Sequence, residues 1–219
     1  MKSHLRQPNF VFLLVGILAV LFINPITVDL FDYSSPFLTS LTFSGTLIMG
    51  VWSLHESKAL FRIGLTLIVV SLGIALIVSI EPELVLLKVL DLLILLVFCG
   101  MSFFFILEEI TTDLDVDINR VVGGVCLYLL LGLIFAIVHS LIEIFLPGSY
   151  SNAEIDADSY TNMFYFSFVT LTTLGYGDIT PLRPLAKAFS IFEAVVGVFY
   201  MSILIGAMIG LLLNKAREQ

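Results

Sequence analysis

Six apolar runs, at about residues 9–31, 36–54, 60–80, 84–107, 120–146 and 185–213, take up most of this chain. Each reaches or nearly reaches the roughly 20 residues that an α-helix needs to cross a hydrocarbon core. They are continuous rather than alternating, so they predict helices and not the strands of a membrane barrel. Pro25, Pro36, Pro82 and Pro147 punctuate their ends. The balance of residues agrees: 59% are hydrophobic and only 13% charged, where a soluble domain carries about a quarter charged. The basic start and apolar middle of the first 22 residues resemble a signal peptide, but no small-x-small cleavage pattern follows. The run continues through Ile26 and Val28 to Phe31 and reads as a first span.

A net charge of −8 argues against nucleic acid as a partner. Cys99 and Cys126 sit inside apolar runs, where a reduced thiol is a small hydrophobe, and suggest neither a disulfide nor a metal site. With the N-terminus in the cytoplasm, Lys2, Arg6, Lys58, Arg62, Arg120, Lys215 and Arg217 fall inside and only Lys88, Arg183 and Lys187 outside. This is the expected bias of basic residues with both termini cytoplasmic; a plasma or inner membrane is the expected location.

Between the last two runs lies a shorter one, Ser159 to Leu171, which as a helix rises only about 20 Å. It is too short to span and predicts a re-entrant segment, capped by Asp158 or Ser159. "TLTTLGYGDITP", Thr170 to Pro181, follows it. Non-helical backbone at membrane depth occurs only where it is buried in protein or lines a wet cavity. Gly175 and Gly177, alternating with Leu174 and Tyr176, can take positive φ and so let successive carbonyls point one way. A ring of such carbonyls replaces an ion's hydration shell, and one chain supplies only part of the ring.

Thr173, Leu174, Gly175, Tyr176 and Gly177 resemble the T-V-G-Y-G selectivity filter of the tetrameric potassium channels, with leucine for valine. The flanks match as well. "FYFSFVT" is similar to the aromatic-rich pore helix, Asp178 to the acidic residue of the outer mouth, and Gly197 falls where the inner helix often carries a hinge glycine. The resemblance covers Arg120 to about Asn214. It implies potassium sites at the carbonyls of Thr173, Leu174, Gly175 and Tyr176, the innermost completed by the Thr173 hydroxyl. It implies filter support from Thr172, Tyr165 and Phe166, with Tyr165 and Phe166 beside the Tyr176 ring, and a homotetramer around one pore. Asp178 steers cations or holds the filter by a hydrogen bond.

Glu193 lies inside the last run, on the face that carries Gly197. An intramembrane carboxylate marks a functional site by default. Two readings apply: it hydrogen-bonds behind the filter and couples pH to conductance, or it is a paired structural residue. The spacing of Gly206 and Gly210 suits close helix packing. Asp113, Asp115 and Asp117 alternate like calcium ligands, but Ile118 and Gly124 stand where an EF-hand loop needs glycine and glutamate. That stretch, with Glu108 and Glu109, reads as a solvated acidic linker. Likewise Glu154, Asp156 and Asp158 read as a solvated turret, and His139 as a packed or helix-bonding residue. His4 and His55 suggest no metal site.

The predicted fold is an all-α membrane protein of six transmembrane helices, with a re-entrant pore helix and filter loop between the last two. Residues 1–110 form a four-helix domain and 111–219 the pore domain. The fourth run has no arginine and Arg62 is alone in the third, so the several charges of a voltage sensor are missing. Few residues follow the last run, so regulation is expected from the membrane, the filter, the acidic loop, pH or another subunit. The predicted function is passive potassium conduction by a channel subunit with no catalytic step and no cofactor, potassium being the permeant ligand. Its partners are the lipid bilayer and three further copies, with an unknown regulatory subunit or lipid left open. The competing readings are a poorly selective monovalent-cation channel, and a membrane sensor or scaffold that uses the pore module for assembly.

Overall fold

The computed structural model describes residues 10–31, 58–81, 84–112, 118–152 and 159–217. These form six helices: α1 (Phe10–Phe31), α2 (Lys58–Ile80), α3 (Val85–Thr112), α4 (Ile118–Phe145), α5 (Ser159–Leu171) and α6 (Pro184–Arg217). No strand occurs among the described residues, only one isolated bridge between Tyr150 and Pro181. Stretches in α3, α4 and α6 are long and apolar enough to cross a membrane, and α1 and α2 contain shorter apolar ones. This is an all-helical integral membrane protein. The predicted span at 36–54 lies outside the described residues.

Pro25 does not end its run; it lies inside α1. A proline there removes one backbone donor, which membrane helices tolerate when neighbouring groups satisfy the freed carbonyl. Both α3 and α6 run further than their apolar stretches, to Thr112 and Arg217. Polar and helix-favouring residues extend a helix without a turn signal to stop it.

The chain divides into two compact units, one carrying α1 to α3 with α4 as far as Leu127, the other carrying α4 from Tyr128 with α5 and α6. In the first unit, Phe10, Leu13, Ile17 and Val20 are buried along one face of α1, while Phe12, Val15 and Phe22 are exposed. The buried set recurs every three to four residues, which is the stripe that a helix presents to a neighbour. Nothing in lipid drives the other face inward, because acyl chains are as apolar as the side chains. The Phe10 amide, one of the donors left over at a helix start, donates to Asn119 Oδ1 at 3.0 Å. A Cβ on Gly123 would meet the Phe10 ring at 3.0 Å and Ile110 at 2.9 Å, so that crossing is close. Between α2 and α3, the Ser71 hydroxyl donates to Asp91 Oδ1 at 2.6 Å.

In the second unit, α5 packs against α6. Ile142, Tyr150, Met163, Phe166 and Ala186 are buried together there. Two glycines set how near the helices come. A Cβ on Gly132 would lie 2.6 Å from the Phe168 ring, and one on Gly197 would run into the Leu171 carbonyl oxygen. Small residues are what let helix backbones approach in a membrane protein.

Candidate selectivity filter and the residues behind it

Helix α5 ends in a Schellman motif. The Thr173 amide donates to Thr170 O at 2.9 Å and the Leu174 amide to Val169 O at 2.9 Å, the paired 5→2 and 6→1 bonds of that cap. The motif needs one residue in the left-handed region, normally glycine. Here Thr173 occupies it, with φ 59°. A β-branched residue at positive φ is an outlier, and such strain collects at functional positions. Neighbouring Thr172 returns its hydroxyl to Phe168 O at 2.6 Å.

Left-handed backbone then recurs at every second residue: Thr173 at 59°, Gly175 at 60° and Gly177 at 80°, with Leu174 and Tyr176 at ordinary negative φ. Alternation of this kind turns successive peptide planes so that their carbonyls face one side. The Gly175 amide points back to Val169 O at 3.3 Å, which commits the amides of residues 173 to 175 to the helix end. Every residue from Thr172 to Asp178 is exposed, Tyr176 to 68% and Leu174 to 55%. A single chain therefore holds this strand along its surface.

The outer end is tied to the turn that follows α4. Tyr165 donates its hydroxyl to Asp178 Oδ2 at 2.6 Å, and the Asn152 side-chain amide donates to Asp178 O at 2.8 Å. The Tyr165 hydrogen bond holds the Asp178 carboxyl below its ordinary 3.8. The same hydrogen bond, followed by desolvation and the carboxylate charge, pushes the Tyr165 phenol up to about 12. Further on, Ser151 N donates to Thr180 O at 2.9 Å, Leu182 N to Ser149 O at 2.7 Å, and the Arg183 guanidinium to Pro147 O at 2.9 Å. The turn itself is held by Glu143, whose carboxylate accepts the amides of Gly148, Ser149 and Tyr150 at 2.7, 2.8 and 3.1 Å.

Phe166 is buried. Its ring packs edge-on against His139 and Tyr150, with centroids 5.1 and 5.2 Å apart. Those two rings begin a wholly buried polar series. Tyr150 Oη lies 2.5 Å from His139 Nδ1, and His139 Nε2 lies 2.8 Å from Glu193 Oε2. The series continues from Glu193 Oε1 to the Ser167 hydroxyl at 2.5 Å, and from that hydroxyl to Gly132 O at 2.8 Å. Glu193 thus sits against α5 from behind, touching Ser167, six residues before Thr173. At Gly197 the helix runs on unbroken, and close approach to Leu171 accounts for the glycine.

Glu143, Tyr150, Asn152, Ser167 and Gly132 were not anticipated from the sequence. Glu143 just before the Pro-Gly turn is the one with a readable signal, an acid beside a run of free turn amides. Ser167 and Gly132 carry none, since a small residue on an apolar helix has many partners open to it. The acidic positions 113–117 and 154, 156 and 158 lie outside the described residues.

A family profile described as "Ion channel" matches residues 123–214. Similar proteins include "Two pore potassium channel c" of Oryza sativa subsp. japonica, 39% identical over 69 residues, which are 32% of this chain and 15% of that protein. "Two-pore potassium channel 2" of Arabidopsis thaliana is 48% identical over 50 residues, 23% of this chain and 11% of its own length. "Inward rectifier potassium channel Kirbac3.1" of Paramagnetospirillum magnetotacticum is 31% identical over 100 residues, 44% and 30% of the two chains. The matched part spans 30% or less of each of these relatives. All of them are channels and none is named as an enzyme. Through residues 123–214, this chain is similar to ion channels, and the relatives that share this stretch are named as potassium channels.

Proposed function

We propose that this chain is the subunit of a potassium-selective channel that conducts passively through one pore shared by four copies in a plasma or inner membrane. The observation that carries the reading is the alternation of left-handed backbone at Thr173, Gly175 and Gly177 on an exposed strand. Four such strands around an axis present rings of carbonyls from Thr173, Leu174, Gly175 and Tyr176, with the Thr173 hydroxyl at the inner end. Gly177 closes the filter and Asp178, held by Tyr165, forms the outer mouth. Helix α5 is the re-entrant pore helix. Residues 111–219 form the pore module, and 1–110 a four-helix domain without the charges of a voltage sensor, in a six-span subunit with both termini cytoplasmic. Thr172, Phe166 and Glu193 support the filter from behind, and Gly197 is where the inner helix meets the pore-helix end.

Flux into vesicles that hold the purified protein, under potassium and then sodium gradients, tests this reading. Potassium is expected to enter and sodium to be excluded. Gly175→Ala has room for its Cβ but must abandon φ 60°, so selectivity is expected to fall. Equal entry of the two ions in the wild type refutes the reading.

A further inference from the structure

The contacts around Glu193 constrain where its hydrogens can lie. Four short contacts run Tyr150 Oη to His139 Nδ1, His139 Nε2 to Glu193 Oε2, Glu193 Oε1 to Ser167 Oγ, and Ser167 Oγ to Gly132 O. A histidinium beside a carboxylate would direct its Nδ1 hydrogen at the phenol, leaving the phenol's own hydrogen without an acceptor. The single Ser167 hydrogen would then have to serve both Glu193 Oε1 and Gly132 O. A neutral glutamic acid removes both conflicts. The phenol donates to Nδ1, Nε2–H donates to Oε2, the acid hydrogen on Oε1 donates to Ser167, and Ser167 donates to Gly132 O. Each contact has its own hydrogen, and no charge is buried.

We propose that Glu193 carries its proton, and that Tyr150, His139, Glu193 and Ser167 form a one-way series of hydrogen bonds that positions α5, and with it the filter. Both His139 and Glu193 have no exposed surface, and the rings of Phe166 and Tyr150 wall the histidine. The other ionisable groups nearby have their own partners. Tyr128 donates to Leu171 O at 3.3 Å, and Glu143 holds the turn amides. Ser167 is two residues before Val169, whose carbonyl receives the Leu174 and Gly175 amides. The series therefore grips α5 one half-turn before the filter is anchored. Its far end, Tyr150, forms the bridge to Pro181 beyond the filter. These side chains are positioning residues: none of them belongs to the exposed strand of residues 172–178. The assignment of what they position rests on reading residues 173–177 as the filter.

Glutamine at 193 discriminates, because its amide donates at one end and accepts at the other as the neutral acid does. In the infrared difference between wild type and Glu193→Gln, measured on the full chain in lipid vesicles, a protonated carboxylic-acid band is expected to belong to the wild type. Glu193→Gln is expected to conduct potassium within about twofold of wild type and to keep its thermal midpoint. Glu193→Ala, which strands His139 and Ser167, is expected to lose about tenfold or more in potassium current or in potassium preference, or to fail to fold. Three results overturn the proposal: a carboxylate band assigned to Glu193, a Glu193→Gln variant as damaged as Glu193→Ala or unable to fold, or a Glu193→Ala variant that matches the wild type. The infrared band and the thermal midpoint decide even where no potassium flux is found, so failure of the channel reading is seen separately.

Discussion

Thr173 combines two demands that other sequences separate. Its backbone stands in the place of a Schellman glycine, at φ 59°, while in the proposed filter its hydroxyl completes the innermost ion site. Thr173→Gly is expected to raise stability by about 1 kcal/mol, because glycine takes this conformation without strain. It is also expected to lower potassium conductance, since the hydroxyl is gone. Thermal unfolding beside vesicle flux reads both, and a variant that loses stability contradicts the strain argument. Asp178 makes a second case. Its folded-state titration lies below 3.8 because Tyr165 donates to it, so the contact contributes fully above that ordinary value and is lost as pH falls through the lowered one. Tyr165→Phe is expected to move the Asp178 titration up towards 3.8 and to make the outer mouth fail at a less acid pH. A carboxylate titration followed by NMR, unchanged in the variant, would count against it. The glycines and the aspartate were legible in the sequence because turn geometry and charge are properties of the residue. The left-handed Thr173 was not, since threonine takes that region only when a helix end and a strand impose it.

Helices meet through what they lack. Gly132 faces the Phe168 ring, and Gly197 faces the backbone of Leu171. A ring can turn aside for a methyl group, but a carbonyl at the end of a capped helix cannot move without taking the filter along. Alanine at either position is expected to destabilise by about 1–3 kcal/mol, with Gly197→Ala the worse of the two. Denaturation of the purified variants in detergent measures the order, and the reverse order would show that the carbonyl yields more easily than the ring. Helix α5 was readable from sequence to the residue, Ser159 to Leu171, because a polar start and a glycine-rich end bracket it. Helix α1 was readable as a run but not in its passage through Pro25. Proline disfavours helix in water, whereas in an apolar medium the rest of the backbone has no partner outside the helix.

Across the whole molecule, basic residues inside the apolar runs of the first unit are scarce. In the third and fourth apolar runs, Arg62 and Lys88 are the basic residues beyond Lys58, and each charge that crosses the field contributes only about 2.3 kcal/mol per 100 mV. Opening is expected to depend shallowly on voltage when purified protein is recorded in planar bilayers; steep opening would contradict this. The first unit offers a hydrogen-bonded Asp91 instead of a charge ladder. By itself the sequence determined that the chain forms membrane helices and where its short helix begins and ends, and it carried the proposal that Thr173 to Gly177 coordinate a cation. These depend on run length, residue charge and the backbone freedom of glycine, all of which are local. Only the tertiary structure decided that His139, Glu193, Ser167 and Tyr150 make one connected series, that the Phe166 ring packs against it, and that Gly197 serves a close approach. Those facts join residues 11 to 54 positions apart, and no local pattern says which buried polar group another will meet.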